Sequence, residues 1–152
     1  MLTADDVKSW KQGDRLLLNG KMLTGRDAAH KRIQDMLEKG EELPVEFKGR
    51  VIYYVGPVDP VRDEIVGPAG PTTATRMDKF MDMMLEQGLL ACVGKAERGP
   101  AATESIAKHE SAYLMAEDMP VTVAVDSEGK NVHQLAPLVW KEKIAREGLL
   151  AD

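Results

Sequence analysis

The chain has 152 residues, 43% hydrophobic and 30% charged, with a formal net charge of −5. That is a globular mix and not a disordered one, and a chain of this length buries roughly two-thirds of its unfolded surface without help from a disulfide or metal. The acidic balance argues against a nucleic-acid partner, the apolar runs are too short for a membrane span, and the single cysteine, Cys92, excludes both a disulfide framework and a cluster ligated by this chain's cysteines alone.

No basic stretch followed by an apolar stretch opens the sequence, so the expected location is the cytoplasm. Asp14–Gly20 is a short apolar run closed by a turn pair and predicts a strand. Arg26–Gly40 predicts an amphipathic helix, with Ala29, Ile33, Met36 and Leu37 on one face and Gly40 as the C-terminal stop. Val51–Val55, β-branched and aromatic, predicts a buried strand. From Gly56 to Pro71 the chain is rich in proline (Pro57, Pro60, Pro68, Pro71) and glycine (Gly56, Gly67, Gly70), which reads as a long shaped loop. A helix is expected over about Thr73–Gln87, striped by Met77, Phe80, Met81, Met84 and Leu85 and ended by Gly88. Strands are expected at Leu89–Gly94, Ala112–Ala116 and Val121–Val125, with a helix over about Pro100–Ser111 between the first two. A turn at Asp126–Gly129 and a helix from about Pro137 complete the chain. This alternation predicts one mixed α/β domain over 1–152.

Three places could carry chemistry. In Gly67–Asp78, a glycine-proline bend delivers Thr72 and Thr73 to a helix start, where free N–H groups favour an anion. Arg76, one turn in, can make a forked contact with a carboxylate. The plain alternative is that a threonine only caps the helix and Arg76 is solvated. At Thr24-Gly25-Arg26-Asp27 an arginine again stands at a helix start, where it opposes the dipole; a local misfit of this kind points mildly to a ligand. Alternatively, Asp27 offsets it and Arg26 points to water. The third place is Gly94–Pro100, after a strand end, where Lys95 could hold a carboxylate. The glycine spacing is not that of a phosphate-binding P-loop. His30, His109 and His133 lack metal-ligand spacing, and Cys92, amid apolar neighbours, reads as an inert buried thiol.

The runs LLNGKMLTGRDAAHKR, YYVGPVDPVRDEIVGPAGPTTATRMDKFMDMML and GKAERGP, in that order, closely resemble the C-terminal region of the iron–sulfur (class I) fumarate hydratases, which is a separate β subunit in two-part relatives. The resemblance runs from about Asp5 to Ala116 and resumes at about Asp118. It implies a swivelling β/β/α domain, a mixed sheet with flanking helices, shortened after Ala116 where the family carries several tens of further residues. It implies a component that clamps a dicarboxylate while (S)-malate and fumarate are interconverted. The four-iron four-sulfur cluster would belong to an α subunit or N-terminal domain, so this chain alone would bind no iron and be inactive. An oligomer is implied as well. Carried over residue by residue, Arg26, Thr72, Thr73, Arg76 and Lys95 would line the substrate site, with Thr72 as the proton-transfer group beside an aspartate of the other domain. Alternatives are the β component of L-tartrate dehydratase or mesaconate hydratase, or a non-catalytic module that only binds a partner chain.

Overall fold

A computed structural model of the chain describes residues 2–56 and 69–116, the backbone of 121–125, and positions 59, 61, 62 and 128. The turn predicted at Asp126–Gly129 (Glu128 apart), the helix predicted from Pro137, His133, and Pro57, Pro60, Gly67 and Pro68 of the long loop lie outside the described residues.

The described strands form one mixed sheet in the order β1-β6-β5-β4-β3-β2. β2 (Leu23–Thr24), β3 (Val51–Tyr53), β4 (Ala91–Gly94) and β5 (Ala112–Ala116) run parallel. β6 (Val121–Val125) is antiparallel to β5, and β1 (Arg15–Leu16) is antiparallel to β6. The strand predicted over Asp14–Gly20 is cut to two residues at the sheet's edge, where short strands limit unwanted pairing. β2 was not foreseen, because two residues carry too little alternation to read.

α1 (Ala4–Ser9) is also additional to the expected elements. Thr3 and Asp6 cap it reciprocally: the Thr3 N–H donates to Asp6 Oδ2 at 2.8 Å, and the Asp6 N–H donates to Thr3 Oγ1 at 3.2 Å. This Thr-x-x-Asp pattern was the available signal. α2 (Asp27–Glu38) ends at Gly40, whose φ of +68° lets the Glu41 N–H turn back to Met36 O at 2.9 Å.

The helix predicted over Thr73–Gln87 divides in two, a 3-10 segment at Ala74–Phe80 followed by α3 (Met81–Glu86). Ala74, Met77 and Phe80, all buried, recur every third residue, which is the 3-10 period. The start of this segment is also tied to the end of β4, where the Ala74 N–H donates to Lys95 O at 2.9 Å.

Because β2 to β5 lie in sequential order, each crossover steps the same way, and like-handed crossovers place their helices on one face. The core follows this rule. Ile52, Cys92 and Tyr113, aligned across three strands, pack against α2, the 3-10 segment, α3 and α4 (Pro100–Lys108). Val51, Ala91, Val93, Ala112 and Leu114 point to the other face and meet Val7 of α1. The period-2 alternation thus serves two cores. No helix among the described residues is long and apolar enough to cross a membrane.

Candidate functional site

The five residues singled out from the sequence all follow the C-terminal ends of adjacent parallel strands, where α/β sheets leave a crevice. Arg26 follows β2, Thr72, Thr73 and Arg76 follow β3 after the long loop, and Lys95 follows β4.

Backbone pairing fixes these segments. The Gly25 N–H donates to Tyr53 O at 3.1 Å, joining the ends of β2 and β3. The long loop leaves at Gly56 and returns beside its own departure point. Val55 bridges to Pro71, the Tyr53 hydroxyl donates to Ala69 O at 3.1 Å, and the Thr72 N–H donates to Tyr54 O at 2.7 Å. Thr73 bridges in turn to Lys95, with the Lys95 N–H donating to Thr72 O at 3.2 Å. Thr72, Thr73 and Lys95 are therefore neighbours, 22 or 23 positions apart in sequence. Gly94 permits this approach: a Cβ there would stand 3.0 Å from Tyr54 Cδ2, 3.2 Å from Ala74 Cβ and 3.3 Å from Thr72 O.

Arg26 is the N-cap residue of α2 and makes no side-chain cap bond. Its guanidinium lies across Gly56, where a Cβ would stand 2.6 Å from Cζ and from Nε. Arg26 thus reaches from the end of β2 over the start of the long loop. Arg76 is paired with Asp27 of α2, Nε to Oδ1 at 3.0 Å and Nη2 to Oδ2 at 2.8 Å. Asp27 is the acidic residue of the first turn of α2, and it holds the half-exposed Arg76 in a forked contact, while Arg26 is exposed. Thr73 occupies the N-cap position of the 3-10 segment, yet its side chain makes no cap bond. Thr72 is buried, whereas Arg26, Arg76 and Lys95 are exposed.

Under this surface lie His30, Arg98 and Cys92, of which only Arg98 was missed by the sequence reading. His30 is buried on α2, with Nδ1 3.0 Å from Arg26 O and its ring edge-on to Tyr54. A carbonyl accepts, so Nδ1 carries the proton and Nε2 keeps a lone pair, which has no hydrogen-bond partner among the described residues. Burial pushes the His30 pKa down. Arg98 is buried beside Tyr54 and Asp78. Nothing in GKAERGP separates Arg98 from its exposed neighbour Glu97, because burial of a charge shows only once the fold is closed. Cys92 is buried as expected, and burial holds its thiol pKa up, which suits an unreactive sulfur.

The surface at the strand ends therefore presents two arginines, a lysine and Thr73, with Thr72 buried beside them, on three backbone segments that hydrogen-bond to one another. Three cations, one of them paired with Asp27, suit an anion with more than one carboxylate.

Comparison with known proteins gives this surface a family. Residues 1–117 match the family described as fumarase C-terminus. The chain is 34% identical to "Fumarate hydratase 2" of Leishmania major over 91% of its own length and 26% of that protein. It is 39% identical to "Fumarate hydratase class I, aerobic" of Salmonella typhimurium over 66% of its length and 17% of that protein. A "Putative L(+)-tartrate dehydratase subunit beta" of Methanocaldococcus jannaschii is 36% identical over 76% of this chain and 60% of its own length. The chain spans about a quarter or less of the two fumarate hydratases. The family match covers all five residues and every parallel strand, and on that basis the chain belongs to the fumarase C-terminus family.

Proposed function

We propose that this chain is the dicarboxylate-clamping component of a hydro-lyase that interconverts (S)-malate and fumarate plus water. The observation that supports this reading is that Arg26, Arg76 and Lys95 follow the ends of β2, β3 and β4, on backbone segments that hydrogen-bond to one another beside the Thr72–Thr73 pair.

In this reading the arginines and Lys95 hold the two carboxylates. Arg76, whose Nε–Nη2 edge is on Asp27, offers its Nη1–Nη2 edge, and Lys95 offers a point charge. Their positive charge also stabilises the aci-carboxylate formed when the carbon beside it loses its proton. Thr72 Oγ1 moves that proton. An unassisted threonine hydroxyl is too weak a base for this, so a carboxylate from the other component must activate it. The swivelling of this domain closes the clamp.

The residues of this chain do not fit an iron–sulfur cluster. Its one cysteine is buried against Met81 and Arg98, and among the described residues no group of three or more His, Cys, Asp or Glu could hold a metal. In the proposed reading the cluster is therefore resident in an α subunit or another domain, and this chain is inactive alone. The test is to purify the chain anaerobically with and without the cluster-bearing component and follow fumarate formation from (S)-malate. Turnover only with both supports the reading; turnover and stoichiometric iron with this chain alone overturn it.

The tartrate dehydratase relative supports a second reading, because this chain covers more of that subunit than of the fumarate hydratases. L-Tartrate carries one more hydroxyl than malate. The same two-component assay, run with L-tartrate and (S)-malate in parallel, separates the two by kcat/KM.

A further inference from the structure

Beneath the candidate site lies an ion pair that makes none of the proposed substrate contacts. The Arg98 side chain is fully buried and its Nε is 2.7 Å from Asp78 Oδ1, a charge contact without hydrogen-bond alignment. Nη1 donates to the Tyr54 hydroxyl at 3.2 Å, and Nη2 is 3.2 Å from Met81 Sδ. The guanidinium also faces the rings of Tyr54 and Tyr113, at 5.4 and 5.1 Å from their centroids. Removing such a pair from water is costly, and apolar residues of similar volume often serve stability as well or better. Its presence calls for a reason besides stability.

The segment it holds supplies one. Asp78 Oδ2 accepts the Gly99 N–H at 2.6 Å, so one carboxylate grips both Arg98 and the residue after it. The Tyr113 hydroxyl donates to Ala96 O at 2.8 Å, and Thr75 Oγ1 donates to Glu97 O at 3.3 Å. Ala96 has φ +63°, a conformation residues with a Cβ rarely adopt and keep only when their surroundings enforce it. Every residue from Lys95 to Gly99 is thereby pinned. The Lys95 N–H and C=O bond to Thr72 O and the Ala74 N–H. Through Tyr54, Arg98 also reaches the residue whose carbonyl holds the Thr72 N–H.

We propose that Arg98 and Asp78 are positioning residues, whose ion pair fixes the loop from Lys95 to Gly99 and so the placement of Lys95 against Thr72 and Thr73. They act through that loop and do not contact the bound carboxylates. This rests on the proposed reading of the site as a dicarboxylate clamp.

The experiment uses Arg98→Lys, which keeps the charge but cannot span Asp78, Tyr54 and Met81 together, and Asp78→Asn, which keeps the shape. Two measurements are made on each. Amide hydrogen exchange is read at Lys95 and Ala74, with Ala112 as a reference amide in the sheet. KM and kcat for (S)-malate are read in the complex with the cluster-bearing component. The expected result is at least tenfold faster exchange at Lys95 and Ala74 with Ala112 unchanged, and a KM raised more than tenfold with a smaller change in kcat. Equal acceleration at all three amides, the mark of a merely structural pair, overturns the proposal. So does unchanged exchange, or an unchanged KM. If Arg98→Lys does not fold, Asp78→Asn decides alone by the same criteria. Failure of the site reading looks different: the wild-type complex would not turn over malate, while the exchange data would still decide whether the pair anchors the loop.

Discussion

Arg76 meets Asp27 in a two-point contact, 3.0 Å from Nε to Oδ1 and 2.8 Å from Nη2 to Oδ2, across 49 positions of sequence. This is the geometry with which a guanidinium takes a substrate carboxylate. The pair is half exposed, so its own contribution to stability is at most about 1 kcal/mol. Its consequence is orientation: an acidic residue on α2 aims a fork carried by the next crossover.

Arg76→Ala should therefore lower kcat/KM for the dicarboxylate far more than it lowers stability. A charge-assisted contact contributes about 1.5–3 kcal/mol, so a loss of roughly ten- to over a hundredfold is expected, mainly in KM. Asp27→Asn keeps the arginine and one oxygen to aim it, and the expected loss is smaller. Steady-state kinetics and thermal melts on the same preparations check both. A loss with Asp27→Asn as large as that with Arg76→Ala would place Asp27 itself against the substrate.

Gly56→Ala tests whether Arg26 works from where it lies. The new Cβ would stand 2.6 Å from Arg26 Cζ, so the guanidinium must move. Its exposed, flexible end can do so at small cost, and the melting temperature should change little. Dicarboxylate affinity should fall toward that of Arg26→Ala, and the double variant should be no worse than Arg26→Ala alone. Additive losses would show that the two positions act separately.

The sheet was legible where the pattern was long enough to read. β3, β4, β5 and β6 were expected close to their observed places, because four or five β-branched or apolar residues stand between turn signals. β2 and α1 were not, since two residues and one short capped turn carry no period. The break between the 3-10 segment and α3 was hidden because Met77, Phe80, Met81, Met84 and Leu85 satisfy a continuous α-helix equally well. At the strand ends, glycine-arginine and glycine-lysine steps marked Arg26 and Lys95. The pairing of Arg76 with Asp27 and the burial of Arg98 depend on which crossovers lie side by side, and no local spacing encodes that.

His30 makes stability depend on pH. Burial lowers its pKa below the ordinary histidine value of about 6.5, so the unfolded chain takes up a proton before the folded one does. The contribution is fully present above about pH 6.5 and is lost progressively as pH falls toward the folded-state value. Asp6 and Asp82 also have lowered pKa values, but they start from 3.8 and act in a more acidic window. Urea midpoints should accordingly drop between about pH 7.5 and pH 5. His30→Asn, which can still donate to Arg26 O, should flatten that dependence. An unchanged slope in the variant would assign the effect to other groups.

Thr72→Ala separates chemistry from scaffolding. Thr72 is buried at the end of β3 and is tied down by its backbone, with its N–H on Tyr54 O and its C=O accepting from Lys95. Those bonds survive removal of the hydroxyl, so the backbone path should persist. The N-cap position belongs to Thr73, which makes no side-chain cap bond. The roughly 1 kcal/mol that a lost cap costs is therefore not expected from either threonine. If Thr72 Oγ1 moves the proton, its loss acts in the transition state, and kcat in the two-component enzyme should fall while KM changes little. Thr72→Ser keeps a hydroxyl and should retain most of the rate. The decisive comparison is melting temperature against kcat for the same purified Thr72→Ala protein. A destabilised variant with near-normal kcat would remove Thr72 from proton transfer and leave this surface as a carboxylate clamp alone.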